Sequence, residues 1–269
     1  QAFRTAMEGK RGPVHLTIPH DLQEQTVDIE VFQRYEKSVI DDMNNWLTYP
    51  NLNQIEKSLD MLSNAKKPVI IAGLGAGATV SSKDLDIFLK NTKIPFFGVD
   101  SGRALVPDSH ECSLGIGYLP LNKSAQRVSE SDVVLLLGVK LDYQLGFGGS
   151  PPFNKDAKII CVDPDIEQLN RSRTVSLIVN SDVGPYVELM KQKSEGINWD
   201  NHEWLKSLKN TKKNYISEMN KLSDGELPMH PMDVSLSIQE NLDDDTFVVF
   251  DGGDYLSLIH ISEPTRLSV

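Results

Sequence analysis

Short apolar runs recur along the chain with helix-like stretches between them, and this alternation constrains the fold more than any other feature. Val69 to Ala72, Pro95 to Val99, Val133 to Leu137, Lys158 to Val162 and Val175 to Val179 are strand-length and largely apolar, the pattern of strands covered on both faces. Between them, Asn53 to Asn64 carries Ile55, Leu59 and Leu62 on one helical face, and Lys83 to Asn91 carries Leu85, Phe88 and Leu89. Gln126 to Ser129 reads as the end of another helix, and Asp165 to Arg171 as one more. Strands taking turns with helices predict right-handed parallel crossovers, hence an α/β fold with a doubly wound, mostly parallel sheet.

The flanks read differently. Phe3 to Glu8 predicts a helix, Gly9 to Gly12 a turn, and Pro13 to Ile18 a strand stopped by Pro19. Leu22 to Pro50 is polar and acidic, as suits a surface linker with room for a short helix. Trp199 to Leu222 predicts a polar surface helix with Trp204 and Leu208 on one side, and Phe247 to Phe250 predicts a new strand. The division expected is 1–23 as the end of one domain, 24–50 as linker, 51–195 as a central domain, 196–227 as a helical linker and 228–255 as the start of another domain.

Composition narrows the function. A formal charge of −11 over 269 residues, with no Lys/Arg cluster to reverse it, repels phosphate backbones and anionic membranes, so nucleic acid and membrane partners are not expected. No apolar run approaches the roughly 20 residues of a membrane span. Cys112 and Cys161 are the only cysteines and lack the spacing of a zinc or disulfide framework, which fits a reducing, cytoplasmic setting. His15, His20 and His110 share no metal or relay spacing, and no metal ligand is assigned.

Candidate ligand contacts gather at the ends of the apolar runs. Gly73-Leu74-Gly75-Ala76-Gly77 follows one directly, where glycines let a ligand approach the backbone and amides can face phosphate, or simply serve a tight bend. Asp163 ends another run, placed either to take ribose hydroxyls or, with Asp165, to cap the next helix. Gly138 ends a third, followed by Lys140 and Asp142, so three strand ends are expected to converge on one crevice.

Several blocks carry a resemblance. GPVHLTIPHDLQ (Gly12 to Gln23) is similar to the end of the pyrimidine-binding domain of thiamine-diphosphate enzymes. AKKPVIIAGLGA, GRALVPDSH, SDVVLLLGVKLDYQLGFG and AKIICVDPD, in that order, resemble the central domain of acetolactate synthase-like proteins. DDTFVVFDGGDY resembles the opening of the diphosphate-binding domain. The resemblance implies a six-stranded central sheet. It further implies that the central domain holds FAD, as in acetolactate synthases, or ADP, as in oxalyl-CoA decarboxylase. Carried over residue by residue, it points to Gly73, Gly75, Asp100, Ser101, Gly115, Gly138, Lys140, Asp142, Asp163 and Asp182, and to Gly253 and Asp254 beside the diphosphate. The pattern departs at Lys140 and Gln144, where flavin-binding members usually carry arginines. The LDYQLGFG block is closer to the acetolactate synthase-like group and to 2-hydroxyacyl-CoA lyases than to the biosynthetic synthase.

By that resemblance the whole protein decarboxylates a 2-keto acid on thiamine diphosphate, anchored by Mg²⁺, and passes the carbanion to a second carbonyl. An acyl-CoA substrate is the alternative, and the assembly implied is a homodimer or homotetramer. The family's activating glutamate and metal motif are expected upstream of Gln1 and downstream of Asp254, which would leave this piece catalytically inert. In keeping with that, the chain opens at Gln1 as if truncated, and Leu256 to Arg266 (LSLIHISEPTR), within 256–269, reads as translated sequencing adapter. A non-catalytic nucleotide-sensing module is a further alternative. A sirtuin-like deacylase would usually need four zinc-binding cysteines, which two cannot supply.

Overall fold

The computed structural model describes residues 1–33, 46–165, 167, 169, 175–243 and 246. Nine helices are delimited among them: α1 (Ala2–Met7), α2 (His20–Gln23), α3 (Leu52–Ser63), α4 (Leu74–Gly77), α5 (Ser82–Thr92), α6 (Lys123–Gln126), α7 (Val183–Ser194), α8 (His202–Asn220) and α9 (Pro231–Glu240). Six strands, β1 (Pro68–Ala72), β2 (Phe96–Gly98), β3 (Ser113–Ile116), β4 (Val133–Leu137), β5 (Lys158–Asp163) and β6 (Val175–Asn180), form one parallel sheet in the order β3-β2-β1-β4-β5-β6. The fold is therefore the doubly wound α/β class that the alternation implies.

The apolar runs are continuous because both faces of the sheet are covered. Ile70, Ala72, Leu135, Leu137, Ile160 and Val162 pack under α3, α5 and α7, which contribute Ile55, Leu59, Leu62, Leu85, Phe88, Leu89, Tyr186 and Met190. On the other face, Val69, Ile71, Val134, Leu136, Ile159 and Cys161 meet Leu114, Ala125, Val128, Trp204 and Leu208. Neighbouring residues of a strand thus serve opposite layers, as the pleat requires.

Local chemistry fixes where elements begin. Asn51 and Gln54 form a reciprocal capping box at the start of α3. The Asp132 carboxylate, just before β4, accepts hydrogen bonds from the amides of Lys66 and Lys67 at 2.7 and 2.9 Å, joining the entries of β1 and β4. Beside it, Glu130 takes Arg127 Nε at 2.7 Å and Lys67 Nζ at 2.8 Å.

Several expectations change. Pro13 to Ile18 forms no strand: Val14, Leu16 and Ile18 remain exposed, and among the described residues no strand pairs with this segment. The helix expected at Gln126 is a single turn running into a 3₁₀ turn, Arg127–Glu130. The polar helix α8 is docked rather than free. Trp204 is buried with its indole N–H donating to the Pro68 carbonyl at 3.1 Å, and the cationic ends of Lys67 and Arg127 each lie 5.1 Å from its ring. Of the helix expected over Asp165 to Arg171, Asp165, Glu167 and Leu169 are described, Asp165 outside a helix and the other two helical; the strand expected at Phe247 to Phe250 lies outside the described residues.

Candidate functional site

At the carboxyl ends of β1, β4 and β5 lies a crevice of about 650 Å³. Strand order reverses between β1 and β4, and in open doubly wound sheets that reversal leaves a gap between crossovers where ligands bind. The loops at the gap are knit by backbone. Gly73 N donates to Leu137 O at 3.0 Å, Gly75 N to Gly138 O at 3.0 Å, and Gly138 N to Val162 O at 2.9 Å. Gly138 has φ +59°, and a Cβ on Gly75 would stand 2.9 Å from its Cα, so these turns come closer than side chains permit.

Asp163 is a largely buried carboxylate on the crevice wall, and its Oδ1 accepts the Asp165 amide at 2.8 Å. Burial raises its pKa above the ordinary carboxylate value; the amide bond opposes this, the Asp165 charge adds to it, and the Lys10 and Lys140 charges oppose it again. A desolvated carboxylate with nearby cations suits hydrogen bonding to a polyhydroxyl group.

Asp142 accepts the Gln144 amide at 2.9 Å and begins the turn Tyr143–Gly148, which presents Gln144 and Leu145 to the crevice. Asp182 lines it too, but its carboxylate is committed to the Thr48 amide at 2.7 Å, fastening the approach to α3 onto the start of α7. Asp100 adopts a left-handed φ of +49°, and Ser101 sits against α4, where a Cβ on Gly77 would come within 2.9 Å of Ser101 Oγ.

Gly73, Gly75, Asp100, Ser101, Gly138, Lys140, Asp142, Asp163 and Asp182 thus converge on one crevice. Gly115 does not join them; it lies in β3, at the sheet edge, with φ +82°. Gly253 and Asp254 lie outside the described residues. Sequence reasoning missed the Gly9 to Gly12 turn, which lines the crevice. Lys10 Nζ lies 2.9 Å from Asp165 Oδ2, and Arg11 Nη1 donates to Ala78 O at 3.1 Å. The available signal was a pair of adjacent cations between two glycines.

Glycine turns, a buried carboxylate and cations fit a nucleotide bearing ribose and phosphate. Among the described residues no group of three or more His, Cys, Asp or Glu is placed to hold a metal ion. No described helix is long and apolar enough to cross a membrane.

Fold and crevice together define a doubly wound α/β protein with an open crevice at its strand-order reversal. The family profile described as "Thiamine pyrophosphate enzyme, central domain" matches residues 55–190, and the chain belongs to this family of thiamine-pyrophosphate-dependent enzymes. It is 31% identical to 2-hydroxyacyl-CoA lyase 1 of Dictyostelium discoideum over 66% of the chain and 29% of that protein. With 2-hydroxyacyl-CoA lyase 1 of Homo sapiens it shares 24% identity over 96% of the chain and 44% of the relative. With a probable acetolactate synthase large subunit of Methanococcus aeolicus it shares 27% over 90% of the chain and 42% of the relative. The chain spans less than half the length of each of these relatives.

Proposed function

We propose that the chain supplies the nucleotide-binding central domain of an acetolactate synthase-like enzyme that decarboxylates a 2-keto acid and ligates the product to a second carbonyl. Thiamine diphosphate, with Mg²⁺, supplies the electron sink in that chemistry when bound. The reading assigns no catalytic residue to this chain. Its part is to hold FAD or ADP, through the ADP moiety common to both. A cytoplasmic homodimer or homotetramer acting on small molecules completes the proposal.

The observation that carries the reading is the crevice at the β1/β4 reversal, with Asp163 buried in its wall and glycine turns on either side. Asp163 accepts from the ribose hydroxyls, and the cations that accompany it face the phosphates. Lys140 and Gln144 favour a second reading, ADP within a 2-hydroxyacyl-CoA lyase or oxalyl-CoA decarboxylase, because neither side chain offers the planar guanidinium fork usual in flavin-binding members.

Calorimetric titration of the full chain with FAD and, separately, ADP tests both. Tight FAD binding supports the synthase reading, and ADP binding alone supports the acyl-CoA branch. A folded chain that binds neither removes the nucleotide site. Asp163→Asn is expected to weaken whichever ligand binds by roughly tenfold, the scale of one hydrogen bond to a charged group.

A further inference from the structure

His110 lies outside the crevice, yet its imidazole is buried, with 7% of the side chain exposed. Nδ1 accepts the Cys112 amide at 3.1 Å, so that nitrogen is unprotonated and the neutral ring carries its proton on Nε2. Nε2 stands 3.3 Å from Asp86 Oδ1 on α5 but is not aligned with it, and remains a buried nitrogen without a hydrogen-bond partner. Asp86 Oδ2 is taken by Lys90 Nζ at 2.8 Å. Glu111, next in the chain, pairs with Lys93 at the end of α5, and Lys209 of α8 also acts on it. Burial holds the imidazole below its ordinary 6.5; the Asp86 and Glu111 charges oppose this, and those of Lys90 and Lys93 reinforce it.

We propose that His110 is an acid-sensitive latch on the edge of the sheet: a proton on Nδ1 turns the acceptor of the Cys112 amide into a second donor and releases the entry of β3 from α5. β3 is the edge strand beside β2, and its entry is tied by Phe96 N to Cys112 O and Ser113 N to His110 O, both at 2.9 Å, and by Cys112 Sγ to Leu89 O at 3.5 Å. The opening stops short of the crevice. Gly102 is seated so close to β1 that a Cβ on it would stand 2.2 Å from Ala72 O, and Arg103 Nη2 holds Asp108 Oδ2 at 2.9 Å. What the opening uncovers is Cys112, a fully buried thiol that burial pushes up to about 12. Because the latched imidazole is held below 6.5, the stability the latch contributes is complete above pH 6.5 and is lost as pH falls below it.

Thiol labelling of the full chain with a pyridyl disulfide reagent tests this between pH 8 and pH 5.5. Labelled peptides are located by mass spectrometry, and each rate is divided by that of the urea-unfolded chain at the same pH to give a protection factor. Cys161, buried in β5 between β4 and β6, is the internal control, since it is reached only by a larger unfolding. In the opened state the imidazole is about nine-tenths protonated at pH 5.5, so protection of Cys112 should fall by about five- to tenfold relative to Cys161. His110→Asn supplies an amide oxygen for the Cys112 amide but does not titrate in this range, and the relative fall should vanish in it. Protection of Cys112 that is independent of pH, that falls in step with Cys161, or that falls as steeply in His110→Asn overturns the proposal. If the variant does not fold, the comparison of the two thiols in the wild type decides.

Discussion

An alanine at Gly138 puts a methyl group where the ends of β1, β4 and β5 are tied together. Its φ of +59° is left-handed, which costs an L-residue about 1–2 kcal/mol. The new Cβ would also stand 2.4 Å from Ala76 N and 2.5 Å from the Gly75 carbonyl carbon. Both are main-chain atoms, so relief requires the two turns to part, and overpacking of that kind adds about 1–3 kcal/mol. Gly196 is the matched control: its φ is +78°, but nothing lies within 4 Å of its Cβ position, so Gly196→Ala meets the backbone penalty alone. In urea unfolding followed by tryptophan fluorescence, a slope of about 2 kcal/mol per molar places the Gly138→Ala midpoint roughly 1 M below that of Gly196→Ala. Equal midpoints would refute the reasoning, because they would mean that the close approach of the turns adds nothing beyond the left-handed conformation. The same variant should weaken nucleotide binding, since the displaced Gly75 lines the crevice.

Two further predictions concern stability. Hydrogen bonds from Arg127 and then Lys67 hold Glu130 at about 2, below its ordinary 4.5, against a desolvation cost that raises it. A depressed folded pKa gives stability that is present above about pH 4.5 and lost as pH falls towards 2, so Glu130→Gln should flatten the acid limb of a urea-midpoint profile measured from pH 6 to pH 2.5. With 37% of the Glu130 side chain exposed, solvent screening limits the effect to about 1 kcal/mol, and an unchanged acid limb would count against the pairing. Trp204→Ala should cost about 3–5 kcal/mol by urea unfolding, because the indole is buried against the sheet; a loss below about 1 kcal/mol would mean that α8 is not docked there.

What was legible follows the physics of each element. β1, β4 and β5 are central strands buried on both faces, and such strands announce themselves as unbroken apolar runs. β3 is a short edge strand containing Gly115 and beginning at Ser113, too brief and mixed to stand out. α7 carries Gly184 and Pro185 in its first turn, two residues that obscure a helix in a sequence, although proline is tolerated there because the first amides lack intrahelical partners. In α9, His230 and Asp233 form a reciprocal cap, an unusual pair that the serine and threonine rules do not flag.

The candidate site divides in the same way. Gly73, Gly138 and Asp163 each follow or end an apolar run, so their meeting at the carboxyl end of the sheet follows from parallel topology alone. Arg11 and Lys10 reach that crevice through Ala78 and Asp165, the first across 67 residues, and no local pattern encodes such a contact. By itself, the sequence determined the α/β class, the parallel sheet and the glycine and aspartate rim, because these arise from periodicity and from residues next to strand ends. Only the tertiary structure decided that the Gly9 to Gly12 turn joins the crevice and that α8 packs on the sheet, because each depends on which distant surfaces exclude water together.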